Sequence, residues 1–378
     1  MRDLILGRPI RDVDLVVEGD ATRLARRLAE RLRAEVRVHE RFGTATVLPP
    51  EGGALDLAAT RREAYARPGA LPDVRLGVPV EEDLARRDFT INAIALELGP
   101  TRTRIDPFEG TADLRRGRIR ELHARSFLDD PTRIFRAVRY AHRLGFRIAP
   151  ATRRRIREAL AAGALDRISA DRLRRELALL LAEPRPSGAV RRLDALGVSR
   201  AIHPALERRP GASRRLRRAE GLATASPRGA GWLAFLLAWL GPTTAGEAAG
   251  VAARLGLSGD SGRRVSGWPG VLAALPRGIA RRPPSEIRLV ASRLSPDEVL
   301  ALAALLPRRD AEALREGAAP ISGARLSIGG RDLLAAGVPP GPAVGRALQR
   351  TRAALEDGRI AAGDQLEFAL RAAREAER

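Results

Sequence analysis

The hydrophobic period changes once along this chain, near residue 125 of 378. Before that point, short runs alternate apolar with polar residues, at Val13–Val17, Glu35–Val38, Thr44–Leu48, Leu55–Ala59 and Ile91–Leu98. A period of two puts successive side chains on opposite faces of a strand, so these runs predict a sheet with one buried face. Between the first two, "ATRLARRLAERLRAE" carries Leu24, Leu28 and Leu32 at i, i+4 and i+8, an apolar helical face ringed by arginine. Beyond the change only the helical period persists. "DDPTRIFRAVRYAHRLGF", "APATRRRIREALAAG" and "SADRLRRELALLLAE" read as successive amphipathic helices, with Ser169 as N-cap of the third. "IGGRDLLAAG" reads as a glycine-punctuated loop leading into a short helix, and two more helical stretches follow it. The expected class is α+β: a mixed α/β N-terminal region followed by an all-helical remainder. The length suits two or three domains. Trp232, Trp239 and Trp268 stand apart from any motif and are expected in the core.

The charge balance narrows the partners. The chain holds 67 Lys+Arg against 46 Asp+Glu, a net +21, and every basic residue is arginine. A GC-rich genome accounts for arginine over lysine but not for the surplus, which points to a polyanion such as nucleic acid. With no cysteine, disulfides, zinc–thiolate sites and thiol nucleophiles are excluded, and a cytoplasmic chain is the default. No apolar run is long enough to span a membrane. No His-Asp pair occurs among the four histidines, so a divalent metal would be held by carboxylates, as Mg²⁺ prefers.

"RDVDLVV" places Asp12 and Asp14 two apart, hence on one strand face, with Val13, Leu15 and Val17 on the other. An Asp-x-Asp on an exposed strand carries little weight alone. "LDLAAT" supplies a second short apolar strand with one acidic residue, Asp56. Three carboxylates on neighbouring strands repel one another. Two divalent cations would offset that repulsion, activate an attacking hydroxyl and stabilise charge on a phosphoryl group.

"RDLILGRPIRDVDLVV" resembles the first motif of the class II tRNA nucleotidyltransferases, which share a superfamily with bacterial poly(A) polymerases. The likeness continues in order through "RRDFTINAIAL" (86–96), "DPFEGTADLRRGRIR" (106–120), "DDPTRIFRAVRYAHRLGF" (129–146) and "ISADRLRREL" (168–177). "IGGRDLLAAGVPPGPAVGRALQ" resembles the family's tail region. The resemblance implies a nucleotidyltransferase α/β head over 1–120, a helical neck over 121–205 for nucleotide selection and RNA binding, and a helical body and tail over 206–378 for tRNA binding. It implies that an RNA 3′-hydroxyl attacks the α-phosphate of a nucleoside triphosphate and that pyrophosphate leaves. Asp12 and Asp14 would bind Mg²⁺, and Asp56 stands where the superfamily often has a third catalytic carboxylate. The expected partners are tRNA, ATP and CTP. Poly(A) polymerase activity and an RNA-binding protein with a decayed head are the competing readings.

"DDPTR" suggests how a base is chosen. On a helix Asp130 and Arg133 are i and i+3, so they are expected to share a face, where the bland reading is a surface ion pair. Cytosine and adenine each show an exocyclic amine beside a ring-nitrogen acceptor, whereas uracil and guanine show a carbonyl beside a ring N–H. An aspartate acceptor next to an arginine donor matches the first pair and leaves unmet polar groups on the second. The resemblance assigns this role to the same two residues. Where the family usually has Glu-Asp, this chain has Asp129-Asp130. In "RRDFTINA", Arg87, Asp88 and Asn92 are expected around the ribose and phosphates, and Arg172 and Arg175 at the nucleotide or the RNA. The family also carries Gly-Gly two residues before the Arg-Asp that stands here as Arg2-Asp3, after a further strand. The expectation is that DNA upstream of Met1 stays in frame and encodes both.

Overall fold

The computed structural model describes residues 1–378 except 11–12, 68, 71, 100, 208–209, 225–230, 320–325 and 377–378. The described residues divide into two compact units, Met1–Pro184 with Gly188–Glu207, and Arg185–Ser187 with Arg208–Arg378.

The first unit begins with α1 (Arg2–Ile5), β1 (Val13–Val17), α2 (Ala21–Leu32), β2 (Glu35–His39), β3 (Thr44–Leu48) and β4 (Leu55–Ala59). These strands form a sheet in the order β1-β4-β3-β2. The β1–β4 pair is parallel and the β4–β3 and β3–β2 pairs are antiparallel. One sheet face packs on α2, joining Ala21, Ala25 and Ala29 to Ala45, Val47, Leu57 and Ala59. Here the expected helical face is corrected. Leu24 and Leu32 are exposed and Leu28 is only partly buried, while the alanines one position on are buried. Short side chains let the helix axis approach the sheet closely, and the leucines are left at the rim. Asp20 caps α2 by accepting from the Arg23 N–H at 2.9 Å.

A hairpin follows, β5 (Arg61–Ala64) with antiparallel β6 (Asp73–Leu76), then α3 (Val80–Ala85). The strand expected over Ile91–Leu98 is a second correction. Thr90–Asn92 is a 3₁₀ turn, and only β7 (Ala95–Leu96) is strand, paired with β8 (Arg104–Ile105). The Asp88 carboxylate accepts from the Phe89 N–H and from Asn92, closing the turn. Gly110, first residue of α4 (Gly110–Arg115), packs so tightly on this turn that a Cβ there would lie 2.1 Å from the Thr90 carbonyl oxygen.

After β9 (Arg118–Ile119), the run expected as one helix is two: α5 (Ser126–Asp129) and α6 (Thr132–Leu144), broken at Asp130–Pro131. The residue before a proline is pushed out of the helical region, and Asp130 sits at φ −134°, ψ 93°. Then come β10 (Arg147–Ile148), parallel to β9, and the helices α7 (Pro150–Ala161), α8 (Ala170–Leu181), α9 (Pro186–Leu196) and α10 (Val198–Ile202). Ser169 caps α8 as expected, accepting from the Arg172 N–H at 3.3 Å, and Leu173, Leu177 and Leu180 are fully buried.

The second unit is helical among its described residues: α11 (Ala212–Thr224), α12 (Trp232–Leu240), α13 (Ala245–Arg254), α14 (Gly259–Ala274), α15 (Pro284–Ser292), α16 (Pro296–Leu305), α17 (Arg308–Ala318), α18 (Gly330–Ala335), α19 (Pro342–Glu356) and α20 (Gln365–Ala376). Trp239 and Trp268 are fully buried, as expected, while Trp232, the first residue of α12, is only partly buried. The last three helices share a core of their own around Leu333, Ala347, Ala369 and Ala373. Among the described residues no helix is long and apolar enough to cross a membrane.

Candidate active site

The sheet face away from α2 is open and polar. Asp14 on β1 is the direct partner of Asp56 on β4, and Asp56 is the partner of Thr46 on β3. Paired residues in a ladder project to the same side, so both carboxylates share the open face. Both are exposed. Thr46 Oγ1 donates to Asp56 Oδ1 at 2.6 Å and orients that carboxylate. Asp12 lies outside the described residues, and among the described residues no three acidic or histidine side chains gather as a metal site. The donors present fit a hard divalent cation: two carboxylates on one face, anionic and oxygen-only, with no soft ligand beside them.

Beside the turn at Thr90–Asn92 lies a network that sequence reasoning only partly anticipated. Asp88 is 7% exposed, and its Oδ2 accepts from Arg136 Nε at 2.8 Å and Nη2 at 2.6 Å. Its Oδ1 accepts from Asn92 Nδ2 at 2.9 Å, and Asn92 Oδ1 accepts from Arg2 Nη1 at 2.8 Å. Arg2 and Arg136 both lie over the Tyr140 ring, at 5.0 and 5.6 Å from its centroid. Arg87 donates to the Asn92 carbonyl at 3.2 Å and to Asp83 at 3.1 Å. The structure thus brings Arg87, Asp88 and Asn92 together, tied to one another and to side chains the motif reading did not single out. The signal that finds Arg136 and Tyr140 is their spacing from Arg133, three and seven residues along α6.

The "DDPTR" geometry corrects the expectation of a shared helix face. Asp130 precedes α6 and does not pair with Arg133. Its Oδ1 accepts from the Thr132 N–H, from Thr132 Oγ1 and from Arg172 Nη2, the last at 2.7 Å. Arg133 is 5% exposed and points instead at the Arg86 carbonyl (2.7 Å), Ser126 Oγ (2.9 Å) and His123 Nε2 (3.4 Å). Burial, and then the Arg133 guanidinium, hold the His123 imidazole below its usual pKa. Burial pushes the Tyr65 hydroxyl up to about 12, and Tyr65 donates to Glu63 at 3.1 Å.

Arg172 also donates to the Gly69 carbonyl at 3.0 Å, and the Gly69 N–H donates to the Asp129 carbonyl at 3.2 Å. Gly69, between β5 and β6, is therefore anchored beside Asp130. Gly69 has φ +75°, and a Cβ there would lie 2.9 Å from the Arg167 carbonyl oxygen. Arg175 is apart from this cluster in its contacts, bonded at 2.9 Å to Asp171 on the exposed face of α8.

Residues 1–120 match the family described as the poly A polymerase head domain, and residues 145–209 match one described as a probable RNA and SrmB-binding site of polymerase A. Over 98% of its length the chain is 34% identical to the CC-adding tRNA nucleotidyltransferase of Deinococcus radiodurans, covering 87% of that protein. The chain belongs to the tRNA nucleotidyltransferase family. It is 36% identical to the family's A-adding enzyme from Geobacter sulfurreducens, over 99% of this chain and 44% of that one. The chain thus spans less than half the length of that relative. Among solved structures of the family, the apo form II of a CCA-adding enzyme superposes with a TM-score of 0.84 at 28% identity, over 98% of this chain and 89% of that one. The Thermotoga maritima CCA-adding enzyme complexed with tRNA superposes with a TM-score of 0.78 at 29% identity, over 98% of this chain and 88% of that one. Enzymes of this family generally use divalent metal ions.

Proposed function

We propose that this chain adds C, A or both to the 3′ end of tRNA without a template, using CTP and ATP, and releases pyrophosphate. The observation that carries the reading is the in-register pairing of Asp14 with Asp56 on an open, polar sheet face. Relatives named A-adding and CC-adding support the choice of tRNA and of these two nucleotides.

In this reading Asp12, Asp14 and Asp56 hold Mg²⁺. The ion, when bound, supplies charge stabilisation at the α-phosphate and a lowered pKa at the attacking hydroxyl. The oxygen of the RNA 3′-hydroxyl bonds to the α-phosphorus as its proton passes to solvent water, the bond from that phosphorus to the bridging oxygen breaks, and pyrophosphate carries the electrons away. Arg87, held by Asp83 and the Asn92 carbonyl, faces the triphosphate with its remaining N–H groups. Asn92 and Asp88 set the ribose position, and Arg136 holds Asp88 in place.

Base choice rests on Asp130 and Arg133. Arg172 and Thr132 hold Asp130 through Oδ1, which leaves Oδ2 to accept from the exocyclic amine of C or A. Arg133 presents the complementary donor. Arg172 acts by orienting Asp130, and Arg175 serves the RNA. A cysteine-free enzyme acting on tRNA fits the cytoplasm.

The test is incubation with tRNAs ending before CCA, after C and after CC, each with one triphosphate at a time. Extension by CTP or ATP at the matching end assigns the step. Repeated ATP addition to unrelated RNAs would replace this reading with a poly(A) polymerase, and no binding of either triphosphate would replace it with a decayed head.

A further inference from the structure

The side-chain amide of Asn92 is bonded at both ends, and one of its partners comes from α1. Its Oδ1 accepts from Arg2 Nη1 at 2.8 Å, and its Nδ2 donates to Asp88 Oδ1 at 2.9 Å. A guanidinium only donates, so the atom facing Arg2 is the amide oxygen and the atom facing Asp88 is the amide nitrogen. The Asn92 main-chain carbonyl is taken by Arg87. What the side chain has left for a ligand is one N–H, on a residue that is only partly buried.

Arg2 is a fixed post for this amide. Its Nε and Nη2 donate to the two oxygens of Asp3 at 3.1 and 2.7 Å, a planar fork on a carboxylate. Its guanidinium carbon lies 5.0 Å from the centroid of the Tyr140 ring, within cation–π range. Nη1 is the nitrogen left over, and it goes to Asn92. Tyr140 is held in turn by Phe89, whose ring meets it edge-on at 5.9 Å with the planes at 83°, and by Arg136, which donates to its hydroxyl at 3.3 Å. Arg136 also binds Asp88, so both ties on the Asn92 amide lead back to this one ring.

The second tie changes what the amide can do. The last torsion of an asparagine side chain is broad, so an amide bonded at one end swings about that bond. Asp88 alone fixes where Nδ2 sits. Arg2 fixes the plane of the amide, and with it the direction of the remaining N–H. A contact that only pinned α1 to this turn could end on a main-chain carbonyl, as the one from Arg87 does. It ends instead on the amide whose direction it sets. A donor of fixed direction rewards an acceptor oxygen at one place and gains nothing from a sugar carbon that carries only hydrogen there. Only the 2′ oxygen distinguishes a ribonucleotide from the deoxyribonucleotide of the same base.

We propose that Arg2, seated on Tyr140, is a positioning residue for sugar selection: it locks the Asn92 amide so that the free N–H meets the 2′-hydroxyl oxygen of the incoming triphosphate, and a 2′-deoxy sugar is taken poorly. The inference rests on the proposed use of CTP and ATP and adds the residues that set which sugar is accepted.

The test uses the full chain. Binding of CTP and ATP and of their 2′-deoxy and 3′-deoxy counterparts is measured by calorimetry, and kcat and KM are measured for addition to tRNA lacking its 3′ nucleotides. Arg2→Ala and Tyr140→Leu are compared with the parent after a thermal melt has confirmed folding. The expected result is that Arg2→Ala lowers the preference for the ribonucleotide over its 2′-deoxy form about tenfold, roughly the worth of one hydrogen bond. The loss falls on the KM for the ribonucleotide more than on kcat, and least on the 2′-deoxy form. Tyr140→Leu should act the same way, and Tyr140→Phe, which keeps the ring, should recover the preference. Once Asn92→Ala is present, Arg2→Ala should add nothing further. Equal losses with the two sugars, or additive losses in the double variant, would overturn the proposal. So would a loss of preference over the 3′-deoxy form in place of the 2′-deoxy form. If Arg2→Ala does not fold, the Tyr140 pair gives the same readout. Failure of the underlying reading looks different: the parent itself then binds no triphosphate, and the inference falls with it.

Discussion

Arg136 grips Asp88 with two N–H donors, Nε at 2.8 Å and Nη2 at 2.6 Å, across 48 residues of sequence. The pair fastens the helix α6 to the turn that carries Asn92. Arg136→Ala should leave a carboxylate that is 7% exposed without its cation. Breaking a fully buried pair costs about 3–5 kcal/mol. Arg136 is itself a third exposed, so about 2 kcal/mol is expected here. The transition of the first unit should fall by roughly 4–8 °C in a thermal melt, and Arg136→Lys should recover part of it. An unchanged melt would reduce the pair to a surface contact.

His123 gives a pH dependence with a definite sign. Its folded pKa lies below the ordinary 6.5, from burial and the nearby Arg133. The unfolded chain therefore binds this proton more readily than the folded one. The stability contributed by neutral His123 is present above pH 6.5 and is lost as the pH falls through the lowered value. Burial also raises the Glu176 and Asp297 carboxyls, so the comparison with a His123 variant isolates the imidazole. Melting temperature should drop as the pH falls below 6.5 in the parent chain and stay flatter in His123→Asn. Equal pH profiles would show that the imidazole is not crowded by Arg133.

Arg133→Ala should relax discrimination between C or A and U or G. In the parent chain the guanidinium is fixed by the Arg86 carbonyl and Ser126, so a base with the wrong polarity meets a donor that cannot turn away. Incorporation of all four triphosphates should show U or G rising at least tenfold relative to C or A. Arg172→Ala should act in the same direction more weakly, because it frees Asp130 without removing it. Unchanged rates and selectivity in Arg133→Ala would leave the residue a structural tie between α6 and Arg86.

The strands of the sheet were readable because their alternation is strict and one face is buried, which is why Asp14 and Asp56 were placed correctly on their strands. Their alignment as direct partners was not, since register depends on long-range pairing. The break at Asp130 was written in the proline after it, yet the helical period on both sides concealed it. Leu24 and Leu32 misled because hydrophobicity alone ranks leucine above alanine, whereas the distance between α2 and the sheet favours alanine. Arg136 and Tyr140 escaped notice because each is unremarkable locally and becomes informative only when α6 brings them to Asp88 and Arg2.

The most direct measurement is transfer of labelled C or A from CTP or ATP to tRNA lacking its 3′ nucleotides, compared among the parent chain, Asp14→Asn and Asp56→Asn. Both residues are exposed on the open sheet face, so the variants should fold and bind tRNA as the parent does. The account predicts transfer by the parent in Mg²⁺ and a loss of at least about a hundredfold in kcat for Asp14→Asn, with a smaller loss for Asp56→Asn. Transfer by Asp14→Asn at most of the parental rate would contradict it.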